Sequence, residues 1–146
     1  MNIRCEVIPY GGWANCVRLT DGRTELVVTT DVGPRIIRYG KPGGQNFLKE
    51  YARQMGRRGG VRWRIYGGHR LWIAPEDMQR TYVPDNEPVK WSWKGNLLTL
   101  QQPPDQLTRL AKEIQISFAK DGAVRLDHRI TNHGRTSACF APWTLT

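Results

Sequence analysis

Apolar and polar residues alternate with a period of two along most of the chain, as expected for strands that bury one face. Residues 15–20 and 24–30 alternate in this way on either side of an Asp21-Gly22 pair. Because an Asp-Gly pair readily adopts positive φ angles, this segment predicts a β-hairpin. Residues 35–39 follow a Gly-Pro pair and predict a further strand.

Two more hairpins are predicted in the second half of the chain. One joins strands over 109–119 and 123–131 through an Asp-Gly pair at 121–122. The other turns at the Lys-Gly-Asn sequence of residues 94–96. The alternation before that turn predicts that two tryptophans point into the core: Trp91 and Trp93.

One segment departs from the alternating pattern and predicts a short helix. Residues 45–55 place four apolar side chains at helical spacing: Phe47, Leu48, Tyr51 and Met55. The overlapping segment 53–64 contains five arginines and three glycines but no acidic residue. That composition predicts a mobile basic loop that leads into a strand.

The composition agrees with a fold made of many short strands. Fifteen glycines and nine prolines punctuate the chain, which favours strands over long helices. A length of 146 residues with 39% apolar residues is sufficient for one domain with a real core. We therefore expect an all-β fold, an antiparallel β-sandwich that forms a single domain over residues 1–146.

The C-terminal residues 139–146 form an apolar stretch that predicts a core strand. A chain that stops inside such a strand is expected to be the N-terminal part of a longer, here incomplete, sandwich. The alternative is that it pairs an exposed sheet edge with a second copy and forms a homo-oligomer.

The charge balance is strongly basic, with 22 basic and 13 acidic residues and a formal net charge of +9. Such a surplus attracts anions, although a basic surface is more often simply solvated. Three scattered cysteines argue against a disulfide framework or a zinc site. No apolar leader or membrane-length apolar run is present in the sequence, so we expect a cytoplasmic protein with no membrane partner, metal or cofactor.

The densest group of chemically active side chains lies in residues 63–86. The glycines at 67–68 are expected to turn the chain sharply and to let a ligand approach the backbone closely. On the strand that follows, Arg70 and Trp72 share one face and His69 points to the other. A sugar needs an aromatic ring against its C–H face and planar charged groups for its hydroxyls, and this segment supplies both.

Three motifs carry a resemblance to a known superfamily: TTDVGPRIIRYG at 29–40, YGGHRLWIAPED at 66–77 and TYVPDN at 81–86. With them, nearly the whole chain resembles an uncharacterised bacterial family within the galactose mutarotase-like (aldose 1-epimerase-like) superfamily. The resemblance implies a large antiparallel β-supersandwich, of which this chain is the N-terminal part. It also implies a sugar or sugar-derived ligand.

In true mutarotases, a carboxylate removes a hydroxyl proton while a histidine protonates the ring oxygen. By this resemblance the candidate catalytic residues here are His69, as acid or hydroxyl anchor, and Glu76, as base. Trp143 stands where the superfamily has a second histidine, and the superfamily's catalytic glutamate comes beyond Thr146, so catalysis is left open. The candidate substrate-binding residues are Arg35, Arg70, Trp72, Asp77 and Asp85.

Other interpretations stay open for several residues and for the function. Glu76 and Asp77 follow a proline and are equally suited to capping a turn. His128 alternates with apolar residues and predicts a hydrogen-bonded core histidine, whereas His133 predicts a surface turn. The alternative functions are anion or nucleic-acid binding through the basic loop at 53–64, which is the less favoured, and self-association of a structural sandwich.

Overall fold

The structure, a computed structural model, describes residues 2–146, and every regular element in this part of the chain is a β-strand. In chain order the strands are β1 (Arg4–Tyr10), β2 (Trp13–Thr20), β3 (Glu25–Thr29), β4 (Arg35–Gly40), β5 (His69–Ala74), β6 (Lys90–Lys94), β7 (Leu97–Gln102), β8 (Leu110–Phe118), β9 (Val124–Asn132) and β10 (Ala141–Leu145). Within residues 2–146 no helix has the length and apolar character needed to cross a membrane.

The strands form two antiparallel sheets that pack as a sandwich. The six-stranded sheet has the order β1-β2-β3-β4-β5-β10, and the four-stranded sheet has the order β6-β7-β8-β9. Every strand pair in both sheets is antiparallel. The predicted fold class, an all-β antiparallel β-sandwich, is confirmed.

The main core lies between the two sheets and is built from alternate residues of their facing sides. It consists of Ile3, Val17, Leu19, Leu26, Val28, Ile36, Leu71, Val89, Leu98, Leu100, Ile114 and Ile116. A second apolar cluster lies on the outer face of the six-stranded sheet: Trp13, Cys16, Val27, Val32, Ile37 and Tyr66. Both sides of the central strands are therefore covered, which explains why β3 is buried along its whole length.

The three predicted hairpins are confirmed, with strand ends within two residues of the predicted ones. β2 and β3 pair across the Asp21-Gly22 turn, β6 and β7 across residues 95–96, and β8 and β9 across residues 119–123. Asn96 has a φ of 64° and Gly95 has a φ of 56°, the pair of positive angles that a tight hairpin turn requires.

The predicted helix over 45–55 is wrong, because its backbone groups are used by other segments. The Asn46 side chain accepts hydrogen bonds from the amides of Tyr39 and Leu48. The amide of Tyr51 donates to the carbonyl of Tyr66 at 2.9 Å. These contacts hold residues 46–51 as a loop, and residues 52–56 form only a turn, in which the amide of Met55 donates to the carbonyl of Tyr51 at 3.2 Å. A helix over the whole segment would break the contacts of the loop.

Two predictions about buried strands also need correction. Trp91 does not point into the core as predicted. It lies on β6, an edge strand of the four-stranded sheet, and is 38% exposed. The C-terminal segment does form a strand, β10, but it is an edge strand that pairs with β5 alone and is largely exposed. The ring of Trp143 packs against Trp72, with the ring centroids 5.4 Å apart.

Candidate functional site

Strand β5 carries three of the candidate site residues and divides them between the two faces of its sheet. It lies between β4 and β10. Arg70 lies opposite Arg35 of β4, and His69 lies opposite Ile36. Ile36 belongs to the core between the sheets, so His69 faces inward, whereas Arg70 and Trp72 lie on the outer face. This division is the one that the alternation predicts.

Three of the predicted binding residues form a buried ionic cluster on the outer face. The Oδ2 atom of Asp85 lies 2.5 Å from Nη2 of Arg35 and 3.3 Å from Nη2 of Arg70. Their side chains are at most 7% exposed, so one carboxylate serves two buried guanidinium groups. Burial alone would raise the pKa of Asp85, but the charges of Arg35, Arg70 and Lys112 hold it below its usual value.

The guanidinium group of Arg70 is stacked on aromatic rings. Its Cζ atom lies 4.4 Å from the ring centroid of Trp72 and 5.6 Å from that of Trp63. Tyr82 and Trp143 pack edge-on against Trp72, with centroid distances of 5.5 and 5.4 Å. Trp72 is only 5% exposed, so it supports the guanidinium group and offers no free face to a sugar ring. This position fits a ring that packs in the interior, and not a platform on which a sugar could stack.

A small hollow of about 130 Å³ opens on the outer face beside Arg70 and Trp72. We call it the Arg70–Trp72 hollow; its lining residues are Lys49, Tyr51, Ile65, Gly67, Gly68, Arg70, Trp72, Leu145 and Thr146. Tyr51 is 40% exposed, and the Nζ atom of Lys49 lies 5.7 Å from the centroid of its ring. Nε of Arg70 and Nε1 of Trp72 are buried and have no hydrogen-bond partner among the described residues. Unused donors of this kind are rare in folded proteins.

The two acidic residues after β5 lie outside this hollow. Glu76 is exposed and accepts a hydrogen bond from the hydroxyl of Tyr82. The carboxylate of Asp77 accepts hydrogen bonds from the amides of Gln79 and Arg80, at 3.0 and 2.8 Å. These bonds lower the pKa of Asp77, the amide of Arg80 most of all. Asp77 therefore caps its own turn, which was the alternative interpretation of this residue.

On the inner face, His69 pairs with His128 of β9 across the sandwich. Their Nε2 atoms are 2.9 Å apart, and Nδ1 of His69 lies 2.8 Å from Oγ1 of Thr146. The predicted hydrogen bond of His128 is confirmed, although the residue is half-buried and does not belong to the buried core. Nothing in the local pattern indicates its partner. Beside the pair is a hollow of about 440 Å³, lined by Leu26, Ile36, Tyr39, Leu48, His69, Ala123, Val124, Leu126 and Thr146.

Both imidazole rings of this pair favour the neutral state. Burial, together with the charge of His128, lowers the pKa of His69 to about 4. Burial also lowers the pKa of His128, although the carboxylate of Asp127 opposes this effect. When both rings are neutral, one Nε2 donates its proton to the other. Two imidazolium rings at this distance would each present a donor and would repel one another.

We expect the free energy of unfolding to fall as the pH is lowered from about 6.5 to about 4. In this window the unfolded chain binds a proton at His69 and the folded chain does not, so protonation favours unfolding. The loss from this residue is on the order of 2 kcal/mol after allowance for solvent screening. Urea unfolding across the window measures it. His69→Phe should reduce the pH dependence of the free energy of unfolding. His133→Phe, in an exposed turn, is the control and should leave it unchanged. Equal pH slopes for the two variants would contradict the assignment to His69.

The paired glycines allow close approach of the chain's own backbone. Gly67 and Gly68 have φ angles of 113° and 73°, which other residues rarely adopt. A Cβ atom on Gly67 would lie 2.0 Å from the carbonyl oxygen of Lys49, and one on Gly68 would lie 2.2 Å from that of Ile36. The sequence predicted a close approach by a ligand at this pair; here the approach is made by the loop after β4 and by β4 itself.

The two candidate catalytic residues do not come together. His69 points into the space between the sheets, and Glu76 contacts Tyr82, which packs against Trp72 on the outer face. The six-stranded sheet separates them, so they cannot flank one sugar ring as an acid and a base must. Of the remaining candidates, Arg35, Arg70, Trp72 and Asp85 come together, and Asp77 does not.

Two residues of the Arg70–Trp72 hollow were missed by the sequence interpretation. Lys49 and Tyr51 fall within the predicted helix over 45–55, which gave them no place beside Arg70. Their actual position depends on backbone contacts with Tyr66 and Gly67, which are remote in sequence. Trp63 and Tyr82 also pack around Trp72 and were not among the candidate residues. They lie in residues 63–86, and only their aromatic side chains indicated a role there.

The basic loop over 53–64 does not present a free stacking surface. The ring of Trp63 packs against Trp72 and Tyr82, with centroid distances of 5.8 and 5.0 Å. The guanidinium group of Arg64 donates to the carbonyl of Gly59 and to the hydroxyl of Tyr66. Single-stranded nucleic acid is usually held by exposed aromatic rings beside free cations, and this loop engages its aromatic ring internally.

The chain matches no family model, no curated protein and no solved structure. The fold and the site define it as an all-β sandwich with a cation-lined hollow on the outer face of its larger sheet.

Proposed function

We propose that the chain binds a carbohydrate or sugar-derived ligand at the Arg70–Trp72 hollow, within a sandwich of the galactose mutarotase-like kind. One observation carries this proposal: a buried, stacked guanidinium group and an exposed aromatic ring line the same hollow. An aromatic ring covers the apolar face of a sugar, and a planar guanidinium group binds two neighbouring oxygens. Tyr51 supplies the ring and Arg70 supplies the guanidinium group.

Arg70 is well placed to bind a ligand because its own side chain is already fixed. Asp85 holds one of its nitrogens, and the ring of Trp72 supports the plane of the guanidinium group. Little side-chain entropy is therefore lost when a ligand binds, and this favours affinity. Nε of Arg70 has no hydrogen-bond partner among the described residues, but it is fully buried, so a ligand oxygen reaches it only if the surrounding side chains shift.

The size of the hollow limits what it accommodates. At about 130 Å³ it is smaller than the roughly 300–1,000 Å³ of pockets that enclose a drug-sized ligand. It therefore suits a single sugar ring or one end of an oligosaccharide. We propose binding and assign no reaction, since no acid and base face each other across this hollow.

We expect Tyr51→Ala to raise the Kd for a bound saccharide by about tenfold, while Tyr51→Phe keeps most of the affinity. Loss of a stacking ring removes both its buried area and its contact with the C–H face of the sugar, together about 1.5 kcal/mol. Tryptophan fluorescence and calorimetric titrations with a panel of mono- and oligosaccharides measure the affinity. Tyr51 is 40% exposed, so its truncation should leave the fold intact.

The matched control is Phe47→Ala, because Phe47 is another exposed aromatic residue of the same loop and lies outside the hollow. It should leave the Kd unchanged. Equal effects of the two alanine substitutions would place binding elsewhere on the protein. If the folded chain binds no member of the panel, the proposed function is wrong.

A further inference from the structure

We infer that the ligand of the Arg70–Trp72 hollow is an acidic sugar, such as a uronic acid, whose carboxylate is bound by Arg70 and Lys49. This inference rests on the proposed function and names the class of its ligand. It depends on three features of the hollow, which are the charges that line it, the unused donors in its wall and the shape of the guanidinium group.

The side chains that line the hollow include two cations and no carboxylate. Lys49 is exposed and makes no ion pair within the described residues, and Arg70 forms the buried wall. A neutral sugar presents hydroxyl donors as well as acceptors and would gain less from this excess of positive charge than an anion. An anionic group would gain from both cations.

The ionic cluster behind the hollow lacks negative charge. Arg35 and Arg70 share Asp85, and Lys112 also lies close enough for the Asp85 charge to act on its amine. Two buried guanidinium groups therefore share one carboxylate. Asp85 is closer to Arg35 than to Arg70, at 2.5 Å against 3.3 Å, so Arg70 is the less neutralised of the two guanidinium groups. A bound anion would supply the missing charge on the side that faces the hollow.

Two donors without a partner within residues 2–146 lie beneath the wall of the hollow. Nε of Arg70 and Nε1 of Trp72 are buried without a partner, although both residues line the hollow and are at least 95% buried. Burial lowers the pKa of Arg70 to about 10, which a bound anion would reverse. A carboxylate has two acceptor oxygens in one plane, and this geometry matches a guanidinium edge.

The carboxylate and the ring of the sugar need separate tests, since a small free anion would use the same two cations. Calorimetry with galacturonate and glucuronate, with galactose and glucose, and with acetate and phosphate separates the possibilities. We expect the uronates to bind at least about tenfold more tightly than the neutral sugars and the free anions. Raising the salt from about 0.1 M to about 1 M should weaken only the charged ligands.

Lys49→Met should weaken uronate binding about fivefold and change the affinity for neutral sugars less than about twofold. Lys41→Met, which removes an exposed charge from the same loop outside the hollow, is the control and should have no effect. Equal affinities for uronates and neutral sugars would overturn this inference and leave the proposed function standing. Acetate or phosphate binding as tightly as the uronates would also overturn it, and binding of no sugar at all would remove the proposed function itself.

Discussion

Asp85→Asn is expected to lower the free energy of unfolding by about 3 to 5 kcal/mol. The substitution removes the carboxylate that pairs with the two buried guanidinium groups of Arg35 and Arg70, which are 0% and 3% exposed. Buried charges that lose their counter-charge retain the cost of leaving water without the attraction that offset it. Urea unfolding followed by tryptophan fluorescence measures the change.

The matched control is Asp127→Asn. Asp127 also pairs with an arginine, Arg125, through two short contacts, but both side chains are largely exposed. Exposed ion pairs contribute about 0 to 1 kcal/mol, so this substitution should have little effect. Similar losses for the two variants, or a loss below about 1 kcal/mol for Asp85→Asn, would mean that the cluster is solvated and does not behave as a buried charge group.

The sequence was sufficient for the parts of the fold that depend on local chemistry. Each of the three hairpins lies at a Gly-containing turn between alternating segments, and both features act over a few residues. The same alternation placed Arg70 and Trp72 on one face of β5 and His69 on the other. These predictions held because the side-chain period of a strand is fixed by its backbone.

The segment over 45–55 shows where local reasoning fails. Its apolar residues suit a helix, but Asn46 binds the amide of Tyr39, and the backbone of Tyr66 and Gly68 binds the backbone of residues 49–51. Those partners are distant in sequence, and no periodicity reports them. The error matters for function, because it hid Lys49 and Tyr51, two of the residues that line the Arg70–Trp72 hollow.

The candidate site was predicted in the same uneven way. The three motifs each supplied one candidate binding residue, Arg35, Arg70 and Asp85, and the structure brings the three together. The sequence did not indicate that one carboxylate pairs with both arginines. Pairing of His69 with His128 depends on how the two sheets pack, which alternation within each strand does not determine. The sequence therefore predicts a hydrogen-bonded core histidine at position 128 without indicating its partner.

The two faces of β5 have different chemistry, and this limits what the superfamily resemblance implies. The outer face has the fixed cation and the hollow, while the inner face has a neutral histidine pair beside a mostly apolar space. An acid–base reaction on one sugar would need groups from both faces. Binding needs only the outer face, and for that reason we propose binding at Arg70 without a catalytic role for His69 or Glu76.

Gly68, the residue before β5, is the site of the second large effect. We expect Gly68→Ala to lower the free energy of unfolding by about 3 to 5 kcal/mol. Gly68 has a φ of 73°, and its new Cβ atom would lie 2.2 Å from the carbonyl oxygen of Ile36. That oxygen belongs to the backbone of β4 and cannot move aside as a flexible side chain can. The strain also falls beside Arg70, so affinity for a sugar at the hollow should fall with stability.

Gly43→Ala separates the clash from the backbone strain. Gly43 has a similar φ of 68°, but nothing lies within 4 Å of the position of its Cβ atom. Its substitution should cost only about 1 kcal/mol, the penalty of a left-handed conformation for alanine. Urea unfolding of the two variants side by side gives the difference. If both lose the same amount, β4 and β5 do not approach as closely at residues 36 and 68 as the structure shows.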